Sequence, residues 1–391
     1  MPSSSTAERA PGCDMTLHLH WFLPTSGDSR EVVGFGPTAG RRSPTIDYLA
    51  TVARTAEQLG FEAVLTPTGT WCEDAWITTA ALIRETTTLK FLVAFRPGLV
   101  SPTLAAQQAA TFHRHSNGRL LLNVVTGGDA VEQRRFGDWL DHDQRYERAD
   151  EFLTVLRGSF DDEPFDFEGR HVHVAGATVS GARRLQAPQL FFGGASEAAE
   201  RVAARHVDVY LTWGEPPDQL AERIARVRAL AEAEGRELRF GVRLHVIARD
   251  RAADAWAEAD RLLDAMPPEV VAEAQRLFTS TESVGQQRMA ALHGGRRDDL
   301  VVAPNLWAGY GLVRSGAGTA LVGSHDEIAE RIAEYHELGL DHVILSGQPH
   351  VEEAYWFGEG VIPRLRKAGL VGSGEPTAAR RPRPLSLVSE S

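Results

Sequence analysis

Residues 239–249 read Arg-Phe-Gly-Val-Arg-Leu-His-Val-Ile-Ala-Arg. Phe240, Val242, Leu244 and Val246 alternate with Gly241, Arg243, His245 and Ile247, which is the two-residue period of a β-strand. One face is apolar and the other carries Arg243 and His245 side by side. A solvated antiparallel strand could carry that pair, but the flanks argue otherwise. Helical patterns run before it, over Pro217–Glu234, and after it, over Ala252–Ala265. A strand between two helices belongs to a parallel sheet buried on both faces. Buried Arg and His are costly unless something pairs with them. An anionic substrate or cofactor is the natural partner, so this stretch predicts the wall of a site.

The same alternation extends in both directions. Strands are expected at Leu17–Leu23, Phe61–Thr66, Leu89–Phe95, Arg119–Val125, Leu190–Gly193, Val207–Thr212 and His342–Ser346. Helices are expected at Thr45–Leu59, Asp74–Arg84, Pro102–His115, Asp143–Arg157, Ser196–Arg205, Asp326–Leu338 and Glu352–Lys367. Phe165–Val174 reads as a hairpin outside this alternation. About eight strands alternating with helices imply βαβ units and, with polar and Gly/Pro-rich stretches after the strands, an α/β fold of the (β/α)8 TIM barrel type. A doubly wound open sheet is the alternative. The barrel domain is expected over residues 15–370, with an insertion over about 252–323 at the C-terminal face. Residues 1–14 read as a disordered leader and 371–391 as a disordered tail.

The chain has 391 residues, 43% of them hydrophobic, and a formal charge of −12. That charge, with no Lys/Arg-rich run, argues against nucleic acid as a partner. Two cysteines exclude a disulfide scaffold. No run of about 18 apolar residues exists to span a membrane, and the N-terminus lacks the apolar region of a secretory signal. A soluble cytoplasmic protein is expected. Phosphate-loop, dinucleotide, zinc-protease and serine-hydrolase motifs are missing, and no metal is expected.

Residues after the strands remain as candidates. Thr68, Cys72, Glu73 and Asp74 follow the second strand, and Asn123, Thr126 and Asp129 follow the fourth. Gly193, Gly194 and Ser196 open a helix whose N-terminus favours a phosphate, although an ordinary helix cap reads the same way. Arg145 and Tyr146 start another helix and, read alone, are surface residues. Trp213 ends the sixth strand, where core packing is the plain alternative. The segment Gly309–Gly323 (GYGLVRSGAGTALVG) carries Arg314 among glycines and small residues. That composition suits a mobile lid closing on an anion, or a mere linker.

Several words of the sequence occur in order along most of the chain. They are Trp21-Phe22-Leu23-Pro24-Thr25, Cys72-Glu73-Asp74-Ala75-Trp76, Thr212-Trp213-Gly214-Glu215-Pro216-Pro217, Arg243-Leu244-His245-Val246-Ile247, residues 283–293 (SVGQQRMAALH) and Pro304-Asn305-Leu306-Trp307-Ala308-Gly309. Together the chain resembles the alkanesulfonate monooxygenases among the bacterial-luciferase-like flavin monooxygenases, from about Leu17 to Lys367. The resemblance implies a TIM barrel that uses FMN as FMNH2, supplied by a separate NAD(P)H-dependent FMN reductase, with O2 as co-substrate. The implied reaction cleaves an alkanesulfonate to aldehyde and sulfite. It further implies a homo-oligomer, a dimer or tetramer. Cys72, Arg243, His245 and Arg314 match catalytic positions. Trp213 matches a substrate-side aromatic, with Phe22, Trp71 and Gln348 beside it on the substrate side. Thr68, Asn123, Thr126, Arg145, Tyr146, Gly194 and Ser196 match positions near the cofactor. A sulfonate is a compact anion that does not titrate, so guanidinium donors suit it.

Two departures bear on the substrate. Thr70-Trp71 stands where the family has Arg-Ser, and Gln348 where it has a Tyr. Two other readings follow: the same flavin chemistry on another small organosulfur, anionic or larger molecule, or a silent flavin-binding protein.

Overall fold

The structure, a computed structural model, describes residues 16–33, 41–181, 185–279 and 281–372; the expected leader and the tail beyond residue 372 lie outside these. The chain begins with β1 (His18–Phe22), α1 (Ile46–Leu59), β2 (Ala63–Thr66), α2 (Ala75–Leu82), β3 (Lys90–Phe95), α3 (Pro102–Ser116) and β4 (Leu120–Val124). Then come α4 (Ala130–Arg135), α5 (His142–Gly158), the hairpin β5 (Phe165–Glu168) and β6 (His173–Ala177), β7 (Leu190–Gly193), α6 (Glu197–His206), β8 (Val209–Trp213) and α7 (Pro217–Ala233). The remainder is β9 (Arg239–Arg249), α8 (Ala252–Asp264), α9 (Pro268–Thr279), α10 (Val284–His293), β10 (Val301–Ala303), β11 (Leu306–Trp307), β12 (Ala320–Ser324), α11 (His325–Glu337), β13 (Leu340–Ser346) and α12 (His350–Lys367).

Eight of these strands close a parallel barrel in the order β9-β13-β1-β2-β3-β4-β7-β8, with β8 pairing back onto β9. The expected barrel is therefore the observed one. Alternation along each strand decides its two faces. Ala63, Leu65, Leu92, Leu121, Phe191, Val209, Leu211 and Ile344 pack together inside the barrel. The alternate residues, such as Val242, Leu244 and Val246 of β9, join the larger core beneath the helices. Helix boundaries follow local chemistry. Thr45, Ser101, Asp141, Ser196 and Ser324 each accept a backbone N–H at the start of a helix, which satisfies donors that would otherwise be orphaned.

The insertion is folded, with a small core of its own that includes Ile247, Leu262, Leu300, Trp307, Tyr310 and Val322. Its last piece, β12, lies parallel to β9 outside the barrel, with Ala320 opposite His245. The Gly309–Gly323 segment is thus three structures: a buried 3-10 turn at Gly309–Leu312, a connection over residues 313–319, and most of β12. Only the connection has the loop character expected of the whole.

Candidate active site

Strand register sets the mouth of the barrel. Trp213 of β8, Arg243 of β9 and Ile344 of β13 stand in register across the sheet. Ser346 likewise stands beside His245. Arg243 and His245 therefore share the inner face with Ile344, as the alternation requires.

Among the described residues, Arg243 is held without an acid. Its Nη2 donates to Ser346 Oγ at 2.8 Å, Nη1 donates to the Leu244 carbonyl, and the guanidinium carbon lies 4.9 Å from the centre of the Phe22 ring. Burial and the nearby Arg314 pull its pKa down from the usual guanidinium range. Arg314 is shifted down as well, by burial. Its guanidinium makes no hydrogen bond or ion pair among the described residues; its backbone N–H donates to Tyr310 O at 2.9 Å. A buried cation with a second cation near it and no carboxylate bound to it among the described residues leaves a place for an anion.

His245 is buried and stacks on Tyr310, ring centres 4.1 Å apart and 4° from parallel. Its Nδ1 is 2.7 Å from Ser346 Oγ and its Nε2 3.1 Å from the Ala317 carbonyl. Burial, Arg243 and Arg314 hold its pKa well below the ordinary imidazole value, so the ring is neutral.

Two cavities open here. The first, about 240 Å³, runs along the C-terminal ends of β4, β7 and β8 and includes Asn123, Thr126, Tyr146, Gly194, Ser196, Trp213 and Arg243. The second, about 270 Å³, includes Phe22, Trp71, Arg314, Gln348 and His350. Phe22, on which Arg243 lies, and Arg314 belong to the second. Most of the residues expected from the sequence are thus brought together, sorted into two groups.

The first cavity fits a flavin. Ser196 caps α6, accepting the Ala199 N–H at 3.2 Å, and the start of that helix faces the cavity. A Cβ on Gly194 would come 2.5 Å from the Ala199 Cβ, so glycine is needed for the chain to turn into the helix so tightly. Leu65, Leu211 and Ile344 supply an apolar floor for a flat ring system.

Four of the expected residues sit differently from their local reading. Arg145 is not a surface residue: it is 3% exposed and bound to the Leu140 carbonyl at 2.7 Å and to Glu282 at 3.0 Å. Glu282 lies across the fold, a contact no local pattern displays. Tyr146 is buried too, and lines the first cavity. Thr68 lines neither cavity. Cys72 does not either, and its Sγ lies 3.8 and 3.6 Å from the carbonyls of Pro67 and Gly69. Burial pushes its thiol up to about 11, so it is not a poised thiolate.

Sequence reading missed Ser346, which joins Arg243 to His245, and the pair Asp28–His350. It also missed Glu215, which is buried and bound by Arg223 at 3.0 Å and Arg288 at 2.8 Å, positioning α7 and α10 around the first cavity. Only His350, beside the departing Gln348, had a visible signal. Among the described residues no group of three or more His, Cys, Asp or Glu side chains is placed to hold a metal ion. No described helix is long and apolar enough to cross a membrane.

Solved structures of the same architecture include a riboflavin lyase (24% identity, TM-score 0.77, 92% of this chain and 93% of that one). A long-chain alkane monooxygenase is similar at 18% identity and TM-score 0.75, over 92% and 93% of the two chains. The EDTA monooxygenase of Chelativorans sp. BNC1 follows at 18% identity and TM-score 0.71, over 93% and 96%. At these identities the likeness carries the fold. The sequence profile of the luciferase-like monooxygenases, however, matches residues 17–342, and the chain belongs to that family.

Proposed function

We propose that the protein is a two-component monooxygenase. It receives reduced FMN from a separate NAD(P)H-dependent FMN reductase and cleaves the C–S bond of an organosulfonate with O2. One oxygen atom ends in the aldehyde and the other in water, two electrons come from the reduced flavin, and sulfite leaves. The observation that carries this reading is Arg243: a cation on a rigid strand, at the junction of two cavities, with no carboxylate partner among the described residues.

When bound, the flavin supplies the activation of oxygen; the protein binds, orients and shields. Gly194–Ser196 at the start of α6 would hold the phosphate, and Asn123, Thr126, Tyr146 and Trp213 would flank the rest. The riboflavin lyase, solved with a modified FMN, supports a flavin in this fold. Arg243 and Arg314 would clamp the sulfonate, Arg314 arriving from the 313–319 connection as it closes over the second cavity. Closure of that kind excludes water from the reacting groups.

The test is sulfite release from a panel of alkanesulfonates of increasing chain length, with reductase, FMN, NAD(P)H and O2. Sulfite formed only when all components are present supports the reading. Flavin oxidation without sulfite from any sulfonate overturns it.

A further inference from the structure

Gln348 has one end of its amide occupied and the other unused. Its Nε2 donates to the Glu31 carbonyl and stands 3.5 Å from Ser29 Oγ. A carbonyl only accepts, so the amino end must face Glu31 and the amide cannot be turned round. The other end, Oε1, is buried and has no hydrogen-bond partner among the described residues, in a side chain whose residue is 8% exposed.

His350, close by, repeats the pattern. Its Nδ1 is 3.1 Å from Asp28 Oδ1. Burial would raise the Asp28 carboxyl, but His350 and Tyr48 overcome that and hold it at about 2. The carboxylate therefore accepts and Nδ1 carries the hydrogen; Nε2 is buried with no hydrogen-bond partner among the described residues.

Both residues line the second cavity, together with Trp71, Val32, Val33 and Arg314. Gln348 Oε1 is an acceptor left unmet in a wall that carries apolar residues and Arg314 and also Asp28, Glu31, Ser26, Ser29 and Ser315. Buried acceptors are normally satisfied, and a ligand group satisfies this one only if it donates. Sites built this way reject analogues that lack the donor far more strongly than apolar pockets reject a missing methylene.

We propose that Gln348 is a specificity residue of this chain: the second cavity selects an anionic substrate that also bears a hydroxyl or N–H, which Gln348 Oε1 accepts. This rests on the reading that the anion lies by Arg243 and Arg314. The preferred substrate is then a hydroxy- or amino-substituted sulfonate. A plain alkanesulfonate leaves that acceptor unmet.

The experiment uses matched pairs, the straight-chain alkanesulfonates of two to six carbons and their ω-hydroxy counterparts, with the corresponding carboxylates as a second anion series. Each is titrated anaerobically into the full-length protein, with and without reduced FMN. At the best chain length the hydroxy member is expected to bind at least about tenfold tighter. In Gln348→Met that preference falls to about twofold or less. Gln348→Leu repeats the measurement on a second background, and thermal melting confirms folding. The wild-type comparison stands without either variant. No preference in the wild type, or a preference that survives both substitutions, overturns the proposal. Sulfonates that bind and release sulfite without donor preference sink this subsite and leave the proposed reaction standing. Gln348-dependent preference among carboxylates, with no sulfonate bound or cleaved, keeps the subsite and removes the sulfonate.

Discussion

Ser346 donates to His245: Oγ and Nδ1 lie 2.7 Å apart, and the direction of the bond is fixed by its neighbours. His245 Nε2 faces the Ala317 carbonyl at 3.1 Å and must carry the ring hydrogen. Nδ1 is therefore the acceptor, and the Ser346 oxygen is left to accept Arg243 Nη2 at 2.8 Å. The chain of bonds runs from the cation on β9 through β13 and back to β9, ending on the 313–319 connection.

Ser346→Ala cuts that chain in the middle. It strands a buried imidazole nitrogen and removes an acceptor from Arg243, at a cost of about 1–3 kcal/mol in stability. Denaturant unfolding measures this, and turnover should fall with it because Arg243 loses its positioning bond. Stability within about 0.5 kcal/mol of wild type would mean that the relay contributes nothing.

Cys72 is expected to be dispensable as a nucleophile. Its thiol is pushed up to about 11 by burial and its Sγ is turned to the carbonyls of its own loop. Cys72→Ser should keep turnover within about threefold, less than ~0.7 kcal/mol in the barrier. A larger loss at unchanged substrate affinity would assign the sulfur a chemical role.

Acid should unfold the protein earlier than its carboxylates alone require. His20 lies in the barrel with its Nε2 3.0 Å from His342 Nδ1. Burial lowers His20 to about 4, and holds His342 and His245 well below their ordinary value. Between about pH 6.5 and 4.5 the unfolded chain binds protons at these rings that the native state does not. Stability therefore falls as pH falls, by about 1.4 kcal/mol per unit for each ring. Glu353, raised by burial to about 7, has the opposite sign and offsets about one ring over the same window. Denaturation midpoints from pH 7 to 5 should show the net loss, and His342→Gln should flatten the slope. A midpoint independent of pH over that range would contradict the burial of neutral rings.

The second half of the 313–319 connection is tied to its surroundings by several bonds. Ala317 O accepts from His245, Gly316 N–H donates to Gln286 at 2.8 Å, and Thr319 Oγ1 donates to Gly214 O at 2.6 Å. Arg314 and the exposed Ser315 precede these ties. Limited proteolysis should cut near Ser315 in the free protein and be suppressed when reduced FMN and a sulfonate are both present. Equal cutting in both states would make the connection a linker.

How much of this was legible in the sequence depends on distance along the chain. The barrel was, because each strand and helix announces itself by its own period, and RFGVRLHVIAR displays Arg243 and His245 on one face. The phosphate-ready helix start at Gly194–Ser196 is local too. Ser346 was hidden because its partners are about a hundred residues away and serine has no patterning signal. Arg145 was misread for the same reason, since Glu282 draws it inside. β12 was hidden within a Gly-rich run: five residues beside β9 need no alternation of their own when another strand supplies the register. The unmet amide of Gln348 is visible only once Glu31 is seen to take its other end.

The most direct measurement is sulfite formation by Arg243→Ala and Arg314→Ala, alongside thermal melting of each variant. Losing a charged partner of an anion in a shielded site costs about 2–5 kcal/mol, so each variant should lose at least about thirtyfold in sulfite release. Arg243→Lys should recover little, because a point charge does not reproduce a planar fork of donors. Melting should stay at or above wild type for Arg243→Ala, which removes a cation that has no carboxylate partner among the described residues. If Arg243→Ala turned over the best sulfonate at the wild-type rate, the anion would bind elsewhere and this account of the site would be wrong.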